Sequence, residues 1–386
     1  MRRIPDHVVQ DIVSRTDIVR VVGEYVRLEK RGSRWVGLCP FHNEKTPSFG
    51  VNEERGFFFC FGCKKGGDAI TFIKEVEKCG YVEALEMLAE KAGVVISYEG
   101  DDDPEEARAA KERESLYELY ERLAGTFRHF IVADSRGAEA LAYARRRGLP
   151  DEVIASFRLG YAPAERSWLY RFLRGKSYSP EFLARSGLFS KKYPETAIFS
   201  DRLMFPIADA RGRVVAFGGR LLHGDGPKYI NSPETGIFKK HDTLFALPEA
   251  AQAMRTSSTA ILCEGYMDAI AFHAAGVANA VAPLGTSFTE PQAALLKRYA
   301  STVVLCFDTD GAGIAAAERA IGIAESKGLG VRVLRLEGAK DPAEILEKNG
   351  PERLKKNAVS TITSEDFILE NAASRLRAGD SGSKTE

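Results

Sequence analysis

Two short stretches restrict the fold of this chain more than any others: Cys39-Pro-Phe-His42 and Cys60-Phe-Gly-Cys63, each with ligand-type residues two positions apart. Together they supply four soft nitrogen and sulfur donors, the number that a structural tetrahedral zinc takes. Pro40 and Gly62 suit the tight turns that aim both donors of a knuckle at one ion. Scattered core thiols would not repeat one gap twice within 25 residues. Four protein ligands leave no open coordination position, so the site is closed and holds one structural zinc. Any chemistry lies elsewhere. Around the knuckles, Lys30, Arg31, Arg34, Lys64 and Lys65 interleave with Trp35, Phe57 and Phe61, a mix suited to single-stranded bases. The stronger expectation for Phe57–Phe59 is the small core that a zinc ribbon needs.

A chain of 386 residues with 44% hydrophobic and 28% charged residues has room for two or three soluble domains. No apolar run reaches membrane-spanning length, and "MRRIPDHVVQDIV" lacks the unbroken apolar stretch of a signal peptide, so no membrane is expected. Cys79, Cys263 and Cys306 are scattered and read as core residues, which fits a reducing cytoplasm. Net charge is zero, yet residues 141–240 hold 18 Lys and Arg against 9 Asp and Glu, while residues 241–350 hold 9 against 13. A basic block beside an acidic one fits a polyanion-binding surface next to a carboxylate metal site.

Residues 1–98 read as one α+β module: a short helix near 5–14, strands around the knuckles, and helices from 69 and over 82–92. "EGDDDPEEAR" (99–108) reads as an acidic linker. Residues 109–250 are mixed α/β and basic, helical to about 147, with strands at "RLMFPIAD" and "GRVVAFGGRL". Residues 251–350 become regular. Strands at 259–263, 278–284, 302–307 and 331–336 alternate with helices, the pattern of a parallel sheet covered on both faces. One helix opens with Thr289 and carries Pro291 in its first turn. Residues 351–386 read as a short helical remnant and tail.

In such a sheet, ligands gather outside the carboxyl ends of the strands. Acidic residues fall there: Glu264 after one strand with Asp268 in the next helix, Asp308 and Asp310 after another, and Asp341 beyond the last. Gly285, Thr286 and Ser287 follow the remaining strand, where backbone N–H groups can meet a phosphate. Carboxylates crowded on one edge repel unless a hard cation lies between them, and magnesium takes one or two carboxylates plus water and phosphate oxygens. Gly311 after Asp308-x-Asp310 allows close approach. An EF-hand is excluded, because its fifth and twelfth positions would be Ala312 and Arg319. Helix N-capping remains an alternative for one or two of these acids.

"EGYMDAI", "FDTDGAG" and "KDPAE" resemble a TOPRIM domain, and "CPFHNEKTPSF…FFFCFGC" resembles the zinc-binding domain of DnaG-type bacterial primases. Between them, "YARRRGL", "DRLMFPI", "GRVVAFGGR" and "KYINSPET" are similar, in order, to that family's RNA polymerase core. The resemblance covers residues 4 to about 350. It implies a DNA-directed RNA polymerase that makes short RNA primers de novo on single-stranded DNA, consuming ribonucleoside triphosphates and leaving an RNA–DNA hybrid. By the same resemblance, Glu264, Asp308 and Asp310 form the catalytic centre, with Asp341 as a further ligand for two or more magnesium or manganese ions. Asp268 is the second acidic position of the Glu-Gly-x-x-Asp motif. Arg147, Arg202, Arg220, Lys228, Tyr229 and Lys240 match positions that handle template or nucleotide phosphates. Glu264 stays open between metal ligand and general base.

Two features depart from the family. Its Asp-Pro-Asp is here Asp341-Pro342-Ala343-Glu344, which loses one carboxylate unless Glu344 reaches in. The family's C-terminal helicase-binding domain is expected to be missing, since some 30 residues follow position 350. A topoisomerase would need a strand-passage domain for which there is no room. A non-catalytic zinc/TOPRIM scaffold, such as a recombination mediator, would not need the "KYINSPET" and "DRLMFPI" block.

Overall fold

Side-chain alternation along short strands organises the first part of the chain. The computed structural model describes residues 4–380 apart from 33, 97, 99–103, 286, 309 and 310, and it divides into two compact units, Met1–Ala110 and Lys111–Glu386. In the first, α1 (Asp6–Arg15) and α2 (Ile18–Gly23) precede β1 (Glu29–Arg31), β2 (Arg34–Gly37), β3 (Phe49–Asn52), β4 (Phe57–Cys60) and β5 (Gly66–Gly67). These strands pair antiparallel in chain order. Helices α3 (Ala69–Glu77), capped by the Asp68 side chain, and α4 (Tyr81–Ala92) complete the unit.

Phe49, Val51, Phe58 and Cys60 are fully buried on one face of this sheet. Phe58 stacks on Phe49 at 5.4 Å and meets Phe72 edge-on at 5.4 Å. The expectation that Phe57–Phe59 form the core therefore holds for Phe58 and fails for Phe57, which is 39% exposed. A strand sends successive side chains to opposite faces and cannot bury three in a row on one side.

The expected linker also ends earlier than residue 108. Helix α5 (Pro104–Ala133) starts at a proline and has Glu105 and Glu106 in its first turn, so the charges that suggested a linker match the positive end of a helix dipole. Then come α6 (Ala138–Arg146), α7 (Asp151–Ser156), β6 (Gly160–Ala162), α8 (Trp168–Arg174), α9 (Pro180–Arg185), β7 (Arg202–Ala208), β8 (Val214–Leu221) and β9 (Tyr229–Asn231). The four strands form an antiparallel sheet in the order β6-β7-β8-β9.

The regular alternation follows in the same unit: α10 (Leu247–Ser257), β10 (Thr259–Cys263), α11 (Tyr266–Ala274), β11 (Ala280–Val281), α12 (Glu290–Lys297), β12 (Thr302–Cys306), α13 (Gly311–Ser326) and β13 (Gly330–Leu334). Next are α14 (Pro342–Asn349), α15 (Pro351–Asn357), β14 (Thr361–Thr363) and α16 (Ser364–Asp380). Sheet order is β11-β10-β12-β13-β14, parallel except for the β13–β14 pair. Thr289 caps α12 in a box with Gln292, as its position suggests. The strand expected over 278–284 shrinks to Ala280–Val281, with Ala282 bridged to Phe245; Pro283 lacks the N–H that continued pairing requires. Ala260, Leu262, Val303 and Leu305 pack into one core layer, and Ile261, Cys263, Val304 and Cys306 into the other. Both faces are covered, as the apolar runs require. Among the described residues no helix is long and apolar enough to cross a membrane.

Candidate functional site

In the first unit the donor atoms of Cys39, His42, Cys60 and Cys63 lie within 4.8 Å of one another. Cys39 Sγ is 3.9 Å from Cys63 Sγ, and Cys60 Sγ is 3.8 Å from His42 Nδ1. A tetrahedron with zinc–sulfur bonds of the usual length has edges of about 3.8 Å, so the four donors fit zinc. A Cβ on Gly62 would fall 2.7 Å from His42 Nε2, so glycine is what lets the histidine approach the second knuckle. Burial pushes the Cys39 thiol up to about 12. Burial also opposes a thiolate at Cys60, but its hydrogen-bonding contacts with the Ser48 side chain, 3.3 Å away, and the Cys63 N–H outweigh it and bring this thiol down to about 7.

Glu44 has no place among the expected ligands, yet it organises the site. Its Oε1 accepts from the N–H groups of Cys39 (2.7 Å) and Ser48 (3.1 Å), and its Oε2 accepts from the Ser48 hydroxyl (2.5 Å). The same Oε2 lies 3.3 Å from His42 Nε2. This is the carboxylate–histidine arrangement that fixes a metal-binding imidazole through its far nitrogen. The available signal was a carboxylate two residues beyond the histidine.

In the second unit the strands carry the acids to one edge. Glu264 follows β10, and its Oε1 accepts from the Asp308 N–H at 2.7 Å, which ties the loops after β10 and β12 together. Asp268, in the first turn of α11, is pushed up to about 7 by burial, then by the charges of Asp341, Asp308 and Glu264, while the Ala343 N–H works the other way. The structure thus brings Glu264, Asp268, Asp308 and Asp341 within electrostatic reach of one another. Asp310, and Thr286 of the expected phosphate loop, lie outside the described residues. Asp341 also caps α14, accepting from the Glu344 N–H at 2.7 Å.

Glu344 does not reach in: its carboxylate pairs with Lys348 at 2.5 Å and accepts from the Lys340 N–H. Ala343 is 2% exposed and packs in the core. The glycine that permits close approach is Gly313, where a Cβ would fall 2.1 Å from the Asp308 carbonyl oxygen; Gly311 has open space.

The basic sheet adjoins this edge. Arg220 and Tyr229 are register partners on β8 and β9, and Arg220 Nη1 donates to the Tyr229 hydroxyl at 2.7 Å. Tyr229 is held above the usual phenol range by burial first, with Asp268 among its neighbouring charges. Arg147 pairs with Glu347 of α14 at 3.1 Å. Lys228 is exposed, and Lys240 is half-buried, its backbone N–H donating to Glu234. Arg202 differs from the rest. It is 6% exposed and its Nη1 donates to the carbonyls of Gly219 and Pro227, so it braces the β8–β9 hairpin.

Asn231, Tyr266 and Leu284 fasten the two sheets. The Tyr266 hydroxyl donates to Asn231 Oδ1 (2.5 Å), and Asn231 Nδ2 donates to the Leu284 carbonyl (2.7 Å). Gly218 makes room for the Tyr266 ring, since a Cβ there would fall 2.5 Å from it. Cys263 and Cys306 are buried register partners on β10 and β12.

A ribbon with three cysteines and a histidine, followed by an acidic parallel sheet fastened to a basic antiparallel one, defines a zinc-ribbon and Toprim protein. Family profiles agree: one described as "CHC2 zinc finger" matches residues 4–104, one described as "DNA primase catalytic core, N-terminal domain" matches 127–251, and one described as "Toprim-like" matches 261–346. The DNA primase of Treponema pallidum is 45% identical over 96% of this chain and 61% of its own length. That of Borreliella burgdorferi is 40% identical over 94% of this chain and 70% of its own. Among solved structures, the zinc-binding and RNA polymerase domains of the Aquifex aeolicus primase superpose with a TM-score of 0.62 at 34% identity, covering 96% of this chain and 89% of that one. The catalytic domain of a DnaG primase bound to single-stranded DNA gives a TM-score of 0.62 at 34% identity, covering 68% and 83%. The chain belongs to the DnaG-type DNA primase family. It spans 61% of the length of the Treponema relative.

Proposed function

We propose that this chain is a DNA-directed RNA polymerase that builds short RNA primers de novo on single-stranded DNA from ribonucleoside triphosphates, leaving an RNA–DNA hybrid. The observation that carries this reading is the acidic strand edge fastened to the basic sheet through Asn231, Tyr266 and Leu284. Carboxylates that raise one another's proton affinity need a hard cation, and phosphate-rich substrates need the arginines beside them.

Glu264, Asp308, Asp310 and Asp341 would hold magnesium or manganese, with Asp268 behind them. When bound, such ions neutralise phosphate oxygens and favour attack by a 3′-hydroxyl. The chain's own part is positioning. The Asp308 N–H fixes Glu264, the α14 cap fixes Asp341, and Arg147, Arg220 and Lys228 receive phosphates. Asp268 keeps a proton near neutrality until positive charge arrives. In the ribbon, Phe57 and Phe61, 39% and 58% exposed, offer ring surface to unstacked template bases.

The test is synthesis of labelled RNA on a single-stranded template with magnesium. The parent incorporates ribonucleotides in template order. Asp308→Asn and Asp310→Asn lose at least a hundredfold in rate, about 2.7 kcal/mol of barrier, with template affinity and thermal midpoint retained. Template binding by the parent without any synthesis overturns the proposal and leaves a binding scaffold.

A further inference from the structure

Three guanidinium groups gather around one phenol at the end of α6. Tyr143 and Arg147 stand four residues apart and so share a helix face. The Arg220 guanidinium lies 4.9 Å from the Tyr143 ring centre and 5.3 Å from that of Tyr229, while Arg146 lies 5.5 Å from the Tyr143 ring. Arg220, Arg147 and Arg146 all bring positive charge to the Tyr143 phenol, with Glu347 opposing them. Like charges this close repel unless further anions join them.

Hydrogen bonding points the same way. Tyr143 Oη, Arg147 Nε and Arg220 Nε are each buried without an acceptor among the described residues. Native folds leave few such donors, and three in one cluster call for an acceptor-rich group. Burial holds the phenol above its ordinary range, so it keeps its proton and stays a donor. Arginine forks match phosphate oxygens in shape and charge.

We propose that Tyr143 joins Arg147 and Arg220 in a phosphate-binding cradle, its hydroxyl donating to a phosphate oxygen that displaces the Glu347 carboxylate. This rests on the polymerase reading only in the source of the phosphate: a ribonucleoside triphosphate or the template backbone. Glu347, 3.1 Å from Arg147, keeps the cradle partly neutral beforehand.

Binding measurements on the whole chain test it without synthesis. Inorganic tripolyphosphate is titrated by calorimetry and a single-stranded oligonucleotide by anisotropy at several salt concentrations, using the parent, Tyr143→Phe and Arg220→Gln. Tyr143→Phe keeps the ring and removes a hydroxyl without an acceptor, so its thermal midpoint stays at or above the parent's. Its tripolyphosphate affinity falls about tenfold if the cradle serves the nucleotide, or its oligonucleotide affinity does if the cradle serves the template. In the second case the salt slope stays unchanged, because no charge is lost, whereas Arg220→Gln flattens it. Parental affinity for both ligands in Tyr143→Phe, or a lowered midpoint, overturns the proposal. A parent that makes no primer yet binds tripolyphosphate through Tyr143 sinks the polymerase reading and leaves the cradle. Active synthesis with Tyr143 irrelevant to both ligands does the reverse.

Discussion

In the ribbon, four donor atoms stand within 4.8 Å of one another, gathered by two knuckles and backed by Glu44. At the strand ends the acids come from three loops and a helix, and three of them are held by different hydrogen bonds: Glu264 by the Asp308 N–H, Asp341 by the α14 cap, Asp268 by the Ala343 N–H. Thiols and imidazole can crowd together because a neutral donor pays little for a close neighbour. Carboxylates cannot do so, and Asp268 answers by holding its proton. One arrangement suits a permanent soft ion, and the other a hydrated ion that arrives with substrate.

Cys60→Ser has the largest expected effect. If zinc supplies much of the first unit's folding free energy, the variant loses its zinc and residues 4–98 unfold, while the second unit keeps its own cooperative transition. Metal analysis with hydrogen exchange reads both, and a full complement of tightly held zinc contradicts the idea. Glu44→Gln is milder. It keeps an acceptor for the Cys39 N–H but removes the charge facing His42, so zinc affinity falls about tenfold in chelator competition with the fold intact. Unchanged affinity would show that His42 needs no carboxylate behind it.

How far the sequence reveals these two sites depends on range. The zinc ligands are legible because a knuckle is a local event, complete within four residues. Glu44 is not a ligand, and its importance appears only when Ser48 and His42 fold back onto it. Strands β10 and β12 are legible as apolar runs of five or six residues and β13 by its place in the strand–helix alternation, whereas "TIT" at β14 carries no such signal and pairs only because β13 offers an edge. The acids after the strands follow from the parallel-sheet pattern. The bracing by Arg202 and the gathering of arginines on Tyr143 depend on contacts between elements far apart in the chain. The first pairs residue 202 with carbonyls at 219 and 227, and the second brings β8 to α6.

Asp268 is raised from 3.8 to about 7 in the folded protein, so without metal the fold keeps a proton that the unfolded chain has lost. Stability is therefore full below about pH 4, and declines as pH rises through 7. Asp268→Asn removes this decline, and at pH 8 without divalent cations it is more stable than the parent by on the order of 2 kcal/mol after allowance for solvent screening. At pH 4 the two unfold alike, and magnesium closes the gap at pH 8. Denaturant titrations at both pH values check it, and parallel pH profiles for parent and variant would place Asp268 outside the acidic cluster.

The smallest expected effect concerns the turn where this chain leaves its family. Ala343 is buried with its N–H on Asp268, so Ala343→Asp adds a carboxylate beside Asp268 and Asp341. Without metal the variant is less stable, and more so at pH 8 than at pH 6, because the added charge repels its neighbours. With magnesium the same carboxylate replaces a water on the ion, and the concentration for half-maximal stabilisation falls about threefold, or roughly 0.7 kcal/mol. Glu344→Ala separates the alternatives. Glu344 is bound to Lys348 and to the Lys340 N–H, so its loss slightly weakens the start of α14 and leaves the magnesium midpoint unmoved. Thermal melts over a magnesium series read both variants. A midpoint that moves in Glu344→Ala and not in Ala343→Asp would mean that the helix cap, not the missing aspartate, is this chain's link between the α14 turn and the ion.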